Sequence, residues 1–81
     1  MPVLKSKEVI KALGAVGIIP VRQKGSHIQL RGEYKGQIRY TTVPFHPRES
    51  LPRGTLEGIL EDCGIIKEEF LGMLVKKKQR G

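Results

Sequence analysis

Two glycine-containing turns divide the middle of the chain into three short segments of alternating apolar and polar residues. The first turn is Lys24-Gly25, and the second spans residues 32–36, which begin and end with glycine. Segments joined by so few residues pair as antiparallel neighbours, since parallel strands need a long crossover. We therefore predict a three-stranded antiparallel sheet with strands at residues 18–23, 26–31 and 37–43.

Apolar residues recur at helical spacing on both sides of this sheet. Before it, the apolar stripe of a first helix ends at Gly17, which supplies a left-handed stop. After it, a second helix begins at Thr55 and ends at Gly64, and a short third helix runs from Lys67 to about Val75. The predicted order is therefore α-β-β-β-α with a short additional C-terminal helix. This α+β arrangement, with the sheet packed on helices on one face, resembles the double-stranded-RNA-binding-domain fold.

The second strand places a histidine on the side of the sheet away from the helices. Ile28 and Leu30 alternate with three polar residues, so the apolar pair faces the core and the polar set faces away. The polar set is His27, Gln29 and Arg31. His27 follows the turn directly, and histidine is the side chain that titrates nearest neutral pH. A lone histidine in a strand is more often a surface residue than a catalyst, so both interpretations stay open here.

The same alternation assigns faces to the other two strands. Arg39 and Thr41 are expected to face away from the core, because a buried guanidinium without a partner is costly. In the first strand Ile19 and Val21 share a face, with Arg22 opposite. The apolar residues that then face the core are Ile19, Val21, Ile38 and Tyr40.

Basic residues outnumber acidic residues by 15 to 8, which gives a formal charge of +7. In a chain of 81 residues this excess favours a polyanionic partner, above all nucleic acid, over a merely solubilising role. The whole chain, residues 1–81, suffices for one small domain, and residues 76–81 are predicted to be a flexible basic tail. The candidate RNA-binding residues are Lys24, Arg22, Arg31 and Arg39.

Several classes of protein are excluded by what the chain lacks. Cys63 is the only cysteine, so an internal disulfide is excluded, and its place on a helical stripe marks it as a core residue. The histidines and carboxylates show no metal-ligand spacing, so we predict no metal and no cofactor. The apolar run at residues 12–21 is too short to span a membrane, and we expect a soluble cytoplasmic protein with no membrane partner.

A cationic sheet face that carries a histidine suits RNA, because RNA brings its own nucleophile, the 2′-hydroxyl. Cleavage without a metal needs a base for that proton, charge to stabilise the phosphate, and an acid for the leaving 5′-oxygen. His27 can act as the base or the acid. Lys24, Arg31 or Arg39 can hold the phosphate.

Three further residues are accessory candidates. Gly25 has no side chain, so neighbouring N–H groups can approach a phosphate oxygen, and Ser26 can orient the phosphate or the imidazole. His46 lies in a loop between Pro44 and Pro47. It is either a second acid–base group or a residue that pins this loop to the helix that follows, and we favour the structural role.

Five motifs occur in one order from about Ser6 to Leu74. They are Val9-Ile10-Lys11-Ala12-Leu13 with Gly17, Val21-Arg22-Gln23-Lys24-Gly25-Ser26-His27, Val43-Pro44-Phe45-His46, Gly54-Thr55-Leu56 with Ile59-Leu60, and Cys63-Gly64-Ile65 with Glu68-Glu69-Phe70. Together they resemble the HicA toxin family of bacterial type II toxin–antitoxin systems. The resemblance implies a small ribonuclease, an mRNA interferase that arrests translation, with His27 of the Gly-Ser-His motif as its active-site histidine.

The resemblance also implies a HicB antitoxin that blocks the active site of the toxin. Residues 47–52 depart from the family pattern, because prolines stand where a simpler polar approach to the helix is expected. Two other hypotheses remain from the residues alone. The chain can be a non-catalytic RNA-binding module of the same fold, or a protein-interaction domain for an acidic partner.

Overall fold

Six elements follow one another in the predicted order, and the class is α+β. In the computed structural model they are α1 (Ser6–Gly14), β1 (Ile19–Lys24), β2 (His27–Tyr34), β3 (Gln37–Pro44), α2 (Arg53–Cys63) and α3 (Lys67–Arg80). The structure describes residues 3–46 and 49–80, with side chains described as far as Leu74. The third helix ends at Arg80 rather than near Val75, so it includes most of the predicted tail, whose flexibility stays a prediction. None of the helices described is long and apolar enough to cross a membrane.

The strands form one antiparallel sheet in the order β1-β2-β3. Its first turn is Gly25-Ser26, one residue later than predicted, because Lys24 pairs with His27. Gly25 has φ of +59°, and a left-handed residue at the first turn position matches the twist of a two-residue hairpin. The second turn is Lys35-Gly36, with φ of +55° and +77°, so β2 extends beyond Arg31 and includes Gly32.

The helices cover one face of the sheet, and the core lies between them. Residues buried there come from every helix, from β2 and β3, and from the link between α1 and β1. They include Val9, Leu13, Ile18, Leu30, Val43, Leu56, Cys63 and Phe70. Burying one large apolar side chain stabilises the fold by about 1.5–3 kcal/mol. Burial, aided by the Asp62 carboxylate and opposed by Arg39, raises the pKa of the Cys63 thiol to about 11, which agrees with a core role.

The predicted faces of β3 are wrong. Ile38 and Tyr40 are 48% and 63% exposed, whereas Thr41 is buried and Arg39 is half-buried on the helix side. Partners explain why this placement is tolerated. The Nε of Arg39 donates to the carbonyl oxygen of Tyr34 at 3.1 Å. The Oγ1 of Thr41 donates to Oδ2 of Asp62 at 3.0 Å.

The guanidinium of Arg39 also lies at the end of α2. A side chain built at Gly64, the residue that caps this helix, would meet the Cζ of Arg39 at 2.6 Å. The C-terminus of a helix carries partial negative charge, which stabilises a nearby cation. Arg39 therefore links the sheet to α2 and does not belong to the side of the sheet where it was expected.

The predicted core placement of Ile19 and Val21 is also wrong, since they are 50% and 56% exposed. The cause is a β-bulge. Along β1, Pro20 pairs with Leu30 and Arg22 pairs with the next residue of β2, so Val21 is an extra residue without its own partner. Because a bulge sets two residues against one, it resets the alternation of faces. Ile19 and Arg22 consequently lie on the same side of the sheet.

Candidate functional site

His27 is the first residue of β2 and its side chain is exposed. It lies between two cross-strand partners, Lys24 of β1 and Pro44 of β3. Residues directly opposite each other in a sheet point to the same face, with Cα atoms about 4.5–5.5 Å apart. The Lys24 ammonium therefore belongs to the immediate surroundings of the His27 imidazole.

The side chains around His27 form a surface that we call the open face. It consists of Ile19, Arg22 and Lys24 of β1, His27, Gln29, Arg31 and Glu33 of β2, and Ile38, Tyr40 and Thr42 of β3. Three of the four predicted RNA-binding residues, namely Arg22, Lys24 and Arg31, are exposed on it, and Arg39 is not. Arg22 and Lys24 lie on the turn side of the bulge. The open face thus joins a histidine to three cations and to exposed apolar groups.

Arg31 and Tyr40 face each other across β2 and β3. The Nε of Arg31 donates to the hydroxyl oxygen of Tyr40 at 3.2 Å, and the Cζ of Arg31 is 5.7 Å from the centre of the ring. At about 3.3 Å per residue, this pair lies about 13 Å along β2 from His27. Tyr40 was missed as a site residue because it was assigned to the core. The sequence signal that points to it is the β-branched pair Thr41 and Val43, which alternates with Tyr40 along the strand. This pair forms the buried face of β3, and Tyr40 therefore lies on the opposite face.

The turn that precedes His27 is open to solvent. Gly25 and Ser26 are both exposed. Among the residues that the structure describes, no atom outside the turn lies within 4 Å of where a Gly25 side chain would begin. The Nε2 of Gln23 donates to the carbonyl oxygen of Gly25 at 3.1 Å. The carbonyl oxygen of Ser26 accepts a hydrogen bond from the N–H of Phe45 at 2.6 Å. The turn is thereby tied to the end of β3, and a ligand can reach its exposed side.

His46 lies just beyond Pro44, the partner of His27, so both histidines are at the same end of the sheet. The backbone N–H of His46 donates to Oγ of Ser6 at 3.3 Å, and Ser6 is buried at the start of α1. This bond anchors the loop to α1, whereas the sequence favoured anchoring to the following helix. The imidazole of His46 remains exposed. Pro47, the second flanking proline, lies outside the described residues.

Most of this architecture matches a known protein family. The family model described as HicA toxin of bacterial toxin–antitoxin matches residues 6–65, which include α1, the whole sheet and α2. No curated protein matches the chain. A toxin of such a system has an antitoxin as its partner. Because the match extends over more than half of the chain, the protein belongs to the HicA toxin family of bacterial toxin–antitoxin systems.

Proposed function

We propose that this toxin is a metal-independent endoribonuclease that cleaves messenger RNA in the cytoplasm and so inhibits translation. His27 is its general acid–base residue. The observation that carries the proposal is the exposed imidazole of His27 beside its cross-strand partner Lys24, on a face that also bears Arg22 and Arg31. Family membership supports the toxic role, and the formal charge of +7 suits an RNA substrate.

The reaction uses the nucleophile that RNA carries. A base removes the proton of a 2′-hydroxyl, and the oxygen attacks the adjacent phosphorus. The bond from phosphorus to the 5′-oxygen then breaks, and that oxygen takes up a proton from an acid. The products are a 2′,3′-cyclic phosphate and a free 5′-hydroxyl. No oxidant, metal or water enters this step, so the protein has to supply proton transfer and positive charge.

His27 supplies the proton transfer, because its exposed imidazole is within reach of a phosphodiester lying on the open face. Lys24 supplies charge at the same place, and a fixed cation stabilises the extra negative charge that develops on the phosphate oxygens. Gly25 and Ser26 form the exposed turn beside them. N–H groups of this turn and the Ser26 hydroxyl orient the phosphate.

His46 is the accessory candidate for the second proton transfer. Its position just past Pro44 brings it to the end of the sheet where His27 lies, and its imidazole is exposed. The hydrogen bond from its backbone to Ser6 limits the movement of the loop. In this proposal His27 takes the proton of the 2′-hydroxyl and His46 protonates the leaving oxygen.

The antitoxin of the proposal is a HicB-type protein that covers the open face. Exposed apolar residues on and beside this face, Ile19, Val21, Ile38 and Tyr40, are suited to burial by a protein. The cations beside them favour a partner surface that carries carboxylates. A protein held there blocks access to His27, which stops cleavage without changing the fold of the toxin.

The proposal is tested with purified protein and end-labelled single-stranded RNA in the presence of EDTA. We expect cleavage products that end in a 2′,3′-cyclic phosphate, because the nucleophile is internal to the substrate. Stable binding of the RNA without products would favour a non-catalytic RNA-binding module instead. Absence of any RNA affinity at low salt would contradict both and favour a domain that binds only protein.

A matched pair of variants distinguishes the open face from the helix side. Lys24→Gln is expected to weaken RNA binding. It is also expected to reduce the magnitude of the slope of the logarithm of the binding constant against the logarithm of the salt concentration by about 0.7, which is the contribution of one phosphate contact with a single strand. Arg39→Gln is expected to leave that slope unchanged and to lower the free energy of unfolding by about 1 kcal/mol, because its bond to Tyr34 is lost.

Binding in this pair is measured with an RNA whose 2′-hydroxyls are methylated, so that it is not cleaved during the titration. Urea unfolding followed by circular dichroism gives the stability. If Arg39→Gln reduced the salt slope as much as Lys24→Gln did, the assignment of phosphate binding to the open face would be wrong.

A further inference from the structure

Tyr40 is a large aromatic side chain that the fold leaves uncovered. Tyr40 lies midway along β3, its side chain is 63% exposed, and it is on the open face rather than in the core. A tyrosine can stack on a base through its ring and donate or accept a hydrogen bond through its hydroxyl. Proteins that bind single-stranded nucleic acids use exposed aromatic side chains next to positive charge in this way.

We propose that Tyr40 and Arg31 form a base-stacking subsite that selects single-stranded RNA. This inference rests on the proposed function, since it names the substrate class of the same open face. The ring of Tyr40 stacks on an unpaired base, and Arg31 binds the phosphate attached to that nucleotide. The subsite lies about 13 Å along β2 from His27, so it holds a nucleotide away from the cleaved bond.

The contact between the two residues prepares Arg31 for this task. Its Nε is already bonded to the hydroxyl oxygen of Tyr40 at 3.2 Å. The bond fixes the plane of the guanidinium and leaves its terminal N–H groups for a two-pronged contact with phosphate. Tyr40 therefore serves twice, because its hydroxyl orients Arg31 while its ring offers a surface to a base.

The neighbouring residues define the extent of the subsite. Ile19 is the other cross-strand partner of Arg31, so Ile19, Arg31 and Tyr40 form one row across the three strands. Ile19 adds exposed apolar surface beside the stacked base. In the next row along β2, Glu33 is paired with Ile38. Its carboxylate repels phosphate, so the RNA backbone is expected to run from His27 to Arg31 and to leave the sheet there.

Base pairing is incompatible with this mode of binding. In a duplex the flat face of each base is covered by its stacked neighbours and only its edge is open to a groove, so a paired base cannot stack on the ring of Tyr40. Unpaired bases can be turned outward onto an aromatic side chain, and each such contact is worth about 1–3 kcal/mol. An exposed tyrosine in this position thus favours single strands over duplexes.

Fluorescence tests the stacking directly. The chain contains no tryptophan, so Tyr40→Trp introduces a single indole on the open face. We expect a methylated, uncleavable single-stranded oligonucleotide to quench its emission, and a duplex of the same sequence to quench it far less. Tyr34→Trp is the matched control, because Tyr34 packs against the core on the other side of the sheet. Its emission is expected to stay constant with both probes.

Kinetics give an independent measurement. Tyr40→Ala is expected to raise KM for single-stranded RNA by about 5- to 150-fold, the range that one lost stacking contact implies, with a much smaller change in kcat. Ile38→Ala, on the same strand and face, is expected to change KM by less. Circular dichroism verifies that each variant is folded.

The outcomes separate this inference from the proposed function. Cleavage by the wild type, with no quenching of Tyr40→Trp and an unchanged KM for Tyr40→Ala, would overturn the subsite and leave the nuclease in place. Quenching by single-stranded RNA without any cleavage would support the subsite and contradict the nuclease. Equal quenching by the duplex would overturn the selectivity, and loss of antitoxin affinity alone would make Tyr40 a protein-docking residue, which also overturns the inference.

Discussion

His27→Ala is expected to lower kcat/KM for RNA cleavage by about 10²- to 10⁴-fold, the usual contribution of a positioned acid–base group. Growth inhibition on expression should disappear with it. The fold should be unaffected, because the side chain is exposed at the end of a strand and contributes nothing to the core. Cleavage of labelled RNA in EDTA measures the change in kcat/KM, and thermal unfolding measures whether the fold is retained.

His46→Ala is the companion variant, since His46 is the other exposed histidine, lies at the same end of the sheet and is the candidate for the second proton transfer. If His46 donates the second proton, the wild-type pH–rate profile shows two titrating groups and His46→Ala shows one. If His46 only holds the loop, the shape of the profile is unchanged. A folded His27→Ala protein that cleaves at the wild-type rate would refute the role of His27.

Gly32→Ala is expected to destabilise the protein by about 3 kcal/mol or more, at the upper end for overpacked sites. A side chain at Gly32 would begin 2.6 Å from the Cα of Ile18 and would also meet the carbonyl oxygen of Gly17. These are backbone atoms, which cannot turn away as the end of a side chain can. The link between α1 and β1 would therefore have to separate from β2.

Gly58→Ala is the control for Gly32→Ala. Gly58 lies within α2. In the part of the chain that the structure describes, no atom apart from its chain neighbours and the nearby backbone of α2 lies within 4 Å of the position its side chain would take. Because alanine is the better helix former, this variant is expected to be more stable than the wild type by about 0.5–1 kcal/mol. Urea unfolding compares the two midpoints. A midpoint for Gly32→Ala equal to that of the wild type would show that the two segments separate without cost.

The order of elements and the family could be predicted because both depend on local signals. Turns, apolar periodicity and the order of motifs are all within reach of the sequence, and the match over residues 6–65 confirms the family. The face of β2 was also predicted correctly, since Ile28 and Leu30 alternate with polar residues and only one assignment buries them.

The faces of β1 and β3 could not be predicted in the same way. Burial of Arg39 was rejected because no partner was visible nearby in the chain. Its partners are the carbonyl oxygen of Tyr34, across a turn, and the end of α2 at Gly64, which is distant in sequence. The one local sign of the bulge at Val21 is Pro20, and a proline in a strand fits an edge strand as well as a bulge. The faces of these two strands therefore depend on partners distant in sequence and on a single extra residue, and strand alternation alone does not reveal either.

The candidate site shows the same division. Arg31 was placed beside His27 from the sequence, and Lys24 and Arg22 were named only as RNA-binding candidates. Arg22 reaches the same face through the bulge rather than through regular alternation. Arg39 was included among the site residues and Tyr40 was omitted for the same reason. The two are consecutive in β3 and lie on opposite faces, so one wrong choice of face misplaced both. The roles of these residues in RNA cleavage stay predictions that the variants above test.

The bulge in β1 also bears on how the length of this strand can vary. Ile19 keeps Arg31 as its partner and Arg22 keeps Gln29, with Val21 between them unpaired. A chain that lacked Val21 would preserve these pairs and gain an uninterrupted strand. Loss of Gln23, by contrast, would make Arg22 and Lys24 neighbours in the strand and so place them on opposite faces of the sheet. A deletion at Val21 is thus expected to leave the charged end of β1 beside His27.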